Sequence, residues 1–157
     1  MGFGDSIGEG FFNYMNFRDR ATRAEYWWWV LFAIIVAIVA GILDALIFWG
    51  WENGPFGLVT SLALFFPGLS VTVRRLHDTN RSGWWILLPV IPFILSIVGF
   101  IAALSLDPFN WYRGPGLVYI AVPGLLFIAA LIVITVFMFL PSNPGNNRFG
   151  PNRYAGS

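Results

Sequence analysis

The densest polar chemistry in the chain is one run, Arg74-Arg75-Leu76-His77-Asp78-Thr79-Asn80-Arg81-Ser82-Gly83. Guanidinium groups present a planar fork of donors that grips carboxylate or phosphate oxygens. A histidine near an aspartate is the minimum for acid–base work, but neighbours on a helix do not face each other. His77 and Asp78 can therefore cooperate only across a turn. No serine nucleophile motif, phosphate-cradling glycine loop or metal-ligand set accompanies them. A structural reading competes. If Val73–Asp78 continues a helix, Arg74 and Asp78 stand four apart and pair on one side. Asn80 then ends the helix in the left-handed conformation, and Ser82 caps the next one.

A second polar group, Thr22-Arg23-Ala24-Glu25, directly precedes an apolar run. Thr followed three residues later by Glu reads as a capping box, each side chain satisfying an orphan backbone N–H of the other. Glu25 is thereby a helix starter before it is an orienter for His77. Arg20, Arg23, Glu25, Arg74, Arg75, His77, Asp78 and Arg81 are expected to form one cytoplasmic polar cluster, with Arg148 of the tail folding back onto it. Two roles stand open for this cluster. It holds anionic lipid headgroups or a partner protein's acidic surface, or its arginines only set topology and His77–Asp78 is a local helix-end pair.

The elements that must position these groups are apolar. Of 157 residues, 57% are hydrophobic and 11% charged, against roughly 25% charged in a soluble globular domain. Mean hydropathy is +0.70, which excludes a soluble enzyme, a disordered tail and a collagen-like fibre. The absence of Cys and the single His exclude a disulfide scaffold, zinc-ribbon or iron–sulfur ligation and a thiol nucleophile. The net charge of +1 argues against a nucleic-acid partner held by overall charge. Nothing implies a cofactor or a metal.

A helix needs about 20 apolar residues to cross a hydrocarbon core of roughly 30 Å. Tyr26–Phe48, Phe56–Val73, Trp84–Leu106 and Leu117–Leu140 meet or approach that length, separated by turn-forming breaks at Trp51–Pro55, Asp78–Gly83 and Asp107–Gly116. The expected fold is an all-α integral membrane protein, a single domain of four transmembrane helices. All the basic residues are Arg: eight lie in the N-terminal segment, the second connection and the tail, against Arg113 alone in the first and third connections. That bias puts both termini in the cytoplasm. The eight Trp stand at or just beyond span ends, in the headgroup zone. The first span is too long for a signal peptide and reads as a retained anchor.

Finer features follow. Asp5–Phe17 spaces Ile7, Phe11, Tyr14 and Met15 as in a short helix lying in the inner interface, capped by Asp5 or Ser6. Asp44 falls ~28 Å along the first helix from Glu25, near the outer interface. Ala33, Ala37, Gly41 and Ala45 form a small-residue ridge for helix packing, including self-association. Pro67, Pro89, Pro92 and Pro123 predict kinks. Trp28, Leu31, Pro67, Gly68 and Leu69 recur 56 residues later, as two like hairpins or by coincidence.

Arg74–Trp85 (RRLHDTNRSGWW), Phe17–Phe32 (FRDRATRAEYWWWVLF) and Gly145–Pro151 (GNNRFGP) resemble the signatures of the domain of unknown function 805 family. The likeness runs from about Phe11 to Pro151. Asp19 and Asn80 stand where that family usually carries Gly. The resemblance implies a small multi-pass protein of the bacterial inner membrane and supplies no reaction. The first functional reading is therefore a non-enzymatic scaffold or regulatory module in contact with lipids and a partner. The alternative is a small transporter or channel subunit, motivated by the prolines in three spans and by the two-hairpin repeat. A lipid-active enzyme using His77 is the least supported.

Overall fold

A computed structural model describes residues 1–48, 54–106, 109, 112 and 115–151. Trp49, Trp51, Glu52, Asp107, Trp111, Arg113 and Arg153, on which part of the span-end and charge reading rests, lie outside the described residues. The elements are α1 (Phe3–Phe12), α2 (Arg23–Ile47), α3 (Pro55–Asp78), a 3-10 turn (Gly83–Leu87), α4 (Val90–Leu106) and α5 (Pro115–Phe139). Four helical stretches are long and apolar enough to cross a membrane: Arg23–Ile47, Pro55–Asp78, Gly83–Ser105 and Gly116–Phe139. The chain divides into two compact units. One comprises Met1–Gly83 with the tail from Pro141, and the other comprises Trp84–Leu140.

In the first unit α2 and α3 form a hairpin clamped at both ends. Asp44 turns its carboxylate onto the first turn of α3, accepting the Phe56 and Gly57 N–H groups at 3.0 and 2.7 Å. Those N–H groups have no intrahelical partner, so a charged residue inside an apolar run serves as the cap of the next helix. Gly54 is required for this approach, since a Cβ there would lie 2.1 Å from the Asp44 carboxyl carbon.

Between the clamps, Trp29 is 3% exposed. Its ring lies where a Cβ of Gly10 would come within 2.3 Å, and Phe11 meets it edge-on at 5.2 Å. Trp29 is thus a core residue that joins α1 to α2, and the headgroup expectation does not describe it. Most of the small-residue ridge lies on the outside of this single chain. Ala37, Gly41 and Ala45 are exposed, and the buried small residue of α2 is Ala40. The face that α2 turns inward is set by Trp29, Ala40 and Asp44 rather than by the ridge.

α1 starts at Phe3 and ends at Phe12, earlier at both ends than the expected Asp5–Phe17. Asp5 accepts the Gly2 N–H at 3.0 Å at its start. At its end, Asn13 bonds back to the Glu9 carbonyl and carboxylate, which ends the run. Pro67 lies inside α3 and cannot donate to the Ala63 carbonyl four residues before it. The Tyr14 hydroxyl donates to that carbonyl at 3.1 Å. Tyr14→Phe is expected to destabilise the unit by about 1 kcal/mol. In a Pro67→Ala background, where the helix regains its own donor, the cost should shrink. Unfolding of the four variants in mixed detergent micelles measures the coupling, and strictly additive effects would reject this account.

The second unit is a hairpin of α4 and α5. α4 begins only at Val90, and a 3-10 turn occupies the first part of the expected Trp84–Leu106 helix. Pro89 supplies the reason, because proline disfavours helical conformation in the residue before it. α4 and α5 approach closely at Gly99, where a Cβ would lie 2.0 Å from the Tyr119 carbonyl oxygen. That carbonyl is four residues before Pro123 and lacks a helical donor for the same reason as Ala63. Phe93–Phe127 and Trp85–Phe137 ring contacts continue the packing.

A candidate site: a buried arginine–carboxylate lock

The helix α3 runs through Asp78 and stops in a defined way. Asn80 has φ +60, Asn80 N–H donates to the His77 carbonyl and Arg81 N–H to the Leu76 carbonyl, both at 2.9 Å. This is a Schellman end. Asn tolerates the left-handed conformation almost alone among residues with a side chain, which accounts for Asn where Gly is usual.

This ending leaves Arg74, Arg75 and Asp78 in the last turns of α3, facing the start of α2. Asp78 does not pair with Arg74. Its Oδ2 takes the Arg75 Nη1 donor and its Oδ1 takes Arg20, with Nε at 3.0 Å and Nη2 at 2.9 Å. Arg74 turns instead to α2 and pairs through Nη1 with Glu25. The expected Arg74–Asp78 pair is therefore replaced by one i,i+3 pair and two long-range ones. Three of the arginines are almost wholly enclosed: Arg20 is 5%, Arg74 2% and Arg75 0% exposed, while Glu25 is 1% and Asp78 2%.

The capping box is half formed. Thr22 accepts the Glu25 N–H at 3.1 Å, but the Glu25 carboxylate goes to Arg74 rather than back to the cap. The Ala21 N–H donates to the Arg74 carbonyl at 3.0 Å, stitching the approach of α2 to α3. Ser70, not among the expected site residues, is fully buried. Its hydroxyl serves the Asn13 and Asn16 carbonyls at 2.7 and 2.8 Å. Nothing in its sequence surroundings marks that role, because its partners are more than fifty residues away.

The tail closes over this end. Arg20 donates to the Asn143 carbonyl at 2.6 Å and the Gly145 carbonyl at 2.7 Å. The Asn143 N–H donates to the Asp78 carbonyl at 3.0 Å, and Asn147 Nδ2 to the His77 carbonyl at 2.8 Å. Asn147 and Gly150 exchange backbone hydrogen bonds around a tight turn, with Gly150 at φ +131, where a side chain would be strained. Phe149 stacks flat on His77, with ring centres 3.8 Å apart and planes 3° from parallel. The GNNRFGP string is thus a clip built for the end of α3.

His77 and Asp78 address different partners. The His77 ring faces Phe149 and the Asp19 carbonyl, 3.3 Å from Nδ1, while Asp78 faces Arg20 and Arg75. Arg148 does return with the tail, but to the rim, where its guanidinium lies 4.7 Å from the Phe149 ring centre and 3.3 Å from the Asn80 carbonyl. Arg81 is half-buried and donates to the Thr79 carbonyl at 3.1 Å. Arg23 is exposed, as are Arg18 and Arg148. The lock thus gathers Arg20, Glu25, Arg74, Arg75 and Asp78, with His77 under the clip, and leaves Arg23, Arg81 and Arg148 around it. Among the described residues, no three His, Asp or Glu side chains converge as metal ligands.

Four membrane-length apolar helices, with a closed ion-pair lock at one end of the first pair, define a multi-pass integral membrane protein. The chain belongs to the family described as a protein of unknown function, DUF805, whose model matches residues 14–151 and takes in all three segments of the lock. It is similar to the inner membrane protein YhaH of Escherichia coli strain K12, 36% identical over 144 residues, which span 89% of this chain and 88% of that protein. The inner membrane protein YhaI of the same strain is 45% identical over 83 residues, 52% of this chain and 68% of YhaI. The uncharacterized protein YiiR is 30% identical over 145 residues, 86% of this chain and 84% of YiiR. No solved structure gives a significant match. The chain is accordingly a protein of the bacterial inner membrane.

Proposed function

We propose that this protein is a non-enzymatic module of the inner membrane, with both termini cytoplasmic, whose outer arginines hold anionic lipid headgroups while its inner arginines lock the fold. The observation that carries this reading is the division among the arginines. Arg20, Arg74 and Arg75 are buried and paired with carboxylates, whereas Arg18, Arg23 and Arg148 are exposed. Exposed guanidinium groups beside a membrane meet the phosphates of the cytoplasmic leaflet. The buried set is enclosed and paired with carboxylates of the chain itself, so headgroup contact falls to the outer set.

Two features weigh against the other readings. The carbonyls freed by Pro67 and Pro123 are answered by Tyr14 and approached by Gly99 within their own units, which supports packing as the use of these prolines. His77 is occupied by Phe149 and a backbone carbonyl, which leaves it poorly placed for acid–base turnover.

The test is lipid retention. Purified in mild detergent, the triple variant Arg18→Gln, Arg23→Gln, Arg148→Gln should lose most of the phosphatidylglycerol and cardiolipin that accompany the unaltered protein, with phosphatidylethanolamine unchanged. Equal retention would reject the headgroup role. The orientation is checked separately. A single cysteine at Asn146 should react with an impermeant maleimide only after the inner membrane is opened, and labelling in intact cells would reverse it.

A further inference from the structure

The N-terminal segment does not stay level with the arginines. Met1 lies beside Thr22, its sulfur 3.9 Å from the hydroxyl, and Phe3 packs on Trp28 at 5.6 Å. Eight residues further on, Phe11 packs on Phe32 at 5.9 Å. Phe32 is seven residues past Glu25, about 10 Å further along α2 at ~1.5 Å per residue. The Tyr14 hydroxyl reaches the Ala63 carbonyl and its ring stands 6.4 Å from Phe66. Phe66 is eight residues before Arg74, about 12 Å along α3. The chain then returns past Ser70 to place Asp19 on His77 and Ala21 on Arg74. Residues 1–21 therefore run down along the hairpin and back up.

A hydrocarbon leaflet is about 15 Å thick, half the core. Non-helical backbone at such a depth is tolerated only where protein satisfies it. Ser70 shares its O–H between the Asn13 and Asn16 carbonyls, the Asn16 N–H also donates to the Asn13 carbonyl, and the Ser70 contacts face α3. Away from those contacts the same segment is bare and apolar, with Phe12 88% and Met15 60% exposed. At a similar depth along α2, one of the membrane-crossing helices, Leu31, Ile34 and Ile35 are exposed as well. Aqueous exposure of such a patch is unfavourable, and an apolar side chain at that depth along a membrane-length helix is suited to acyl chains.

We propose that residues 3–17 are a re-entrant segment that enters one leaflet, on the side of the arginine lock, and lodges Phe12 and Met15 among its acyl chains. This departs from a helix lying flat in the interface, and it does not depend on the headgroup reading. The chain has no cysteine, so single probes can be placed cleanly. The full-length variants Phe12→Cys, Met15→Cys and, as reference, Asn146→Cys would carry an environment-sensitive fluorophore. Each would be reconstituted in phosphatidylcholine–phosphatidylglycerol vesicles containing nitroxide lipids.

Probes at 12 and 15 should show blue-shifted emission and stronger quenching by an acyl-chain nitroxide than by a headgroup nitroxide, with the order reversed at 146. Strongest quenching at 12 and 15 by the headgroup nitroxide or by aqueous iodide would overturn the proposal. Quenching by neither would overturn it too, because the face would then be covered by protein, a second copy included. Lipid retention is measured independently, so the failure of one proposal is distinguishable from the failure of the other.

Discussion

Asp78→Ala is expected to unlatch the tail and destabilise the protein by about 3–5 kcal/mol, the range for removing one partner of a buried ion pair. The carboxylate serves two guanidinium groups, Arg20 and Arg75, that are themselves enclosed, so its removal leaves two charges without their counter-ion. Arg20 keeps the Asn143 and Gly145 carbonyls, but neutral acceptors do not replace a carboxylate. The expected readouts are a lowered unfolding midpoint in mixed micelles and protease cleavage within residues 141–151 under conditions where the unaltered protein resists. A midpoint change worth less than about 1 kcal/mol, the size of an exposed surface pair, would show that the lock is solvated.

Glu25→Ala is the second large effect, again about 3–5 kcal/mol, and it separates two roles of one residue. The hydrogen bond from the Glu25 N–H to Thr22 belongs to the backbone and survives the substitution, so a cap-only role predicts a small loss. The Arg74 partner does not survive. Its Nη1 loses the carboxylate, its Nε has only Ser70 Oγ at 3.4 Å, and its Nη2 is buried with no hydrogen-bond partner among the described residues. Replacing both members, Glu25→Leu with Arg74→Met, should recover much of the loss, because an apolar pair strands no charge. If the double variant is as unstable as the two single losses added together, the pairing assigned here is wrong.

Much of the lock was visible along the chain as residue types, yet the pairing was not. Arg74 and Asp78 at i,i+4 and Arg75 and Asp78 at i,i+3 are both permitted by helix geometry. The choice was made by Glu25, on another helix, which draws Arg74 away. Arg20 belongs to the expected cluster by residue type, but only the fold shows that the tail carbonyls gather around it. Asp44 stands 19 residues past Glu25 by sequence alone, but its capping role requires α3 to begin beside it. The ridge at Ala37, Gly41 and Ala45 met the spacing rule for close packing and still faces outward, since spacing alone does not say which face a neighbour takes.

Hydropathy by itself determined the four membrane-length apolar stretches. Local capping chemistry determined where α2 starts and α3 ends, because each of those depends on a few neighbouring residues. Tertiary structure alone decided which carboxylate each arginine meets, which carbonyl Tyr14 answers, and that the tail clips over His77. Apart from Arg75–Asp78, an i,i+3 pair, those contacts join residues 49 to 125 positions apart. Over such separations sequence order carries almost no information about distance, and only the packed helices bring donor to acceptor.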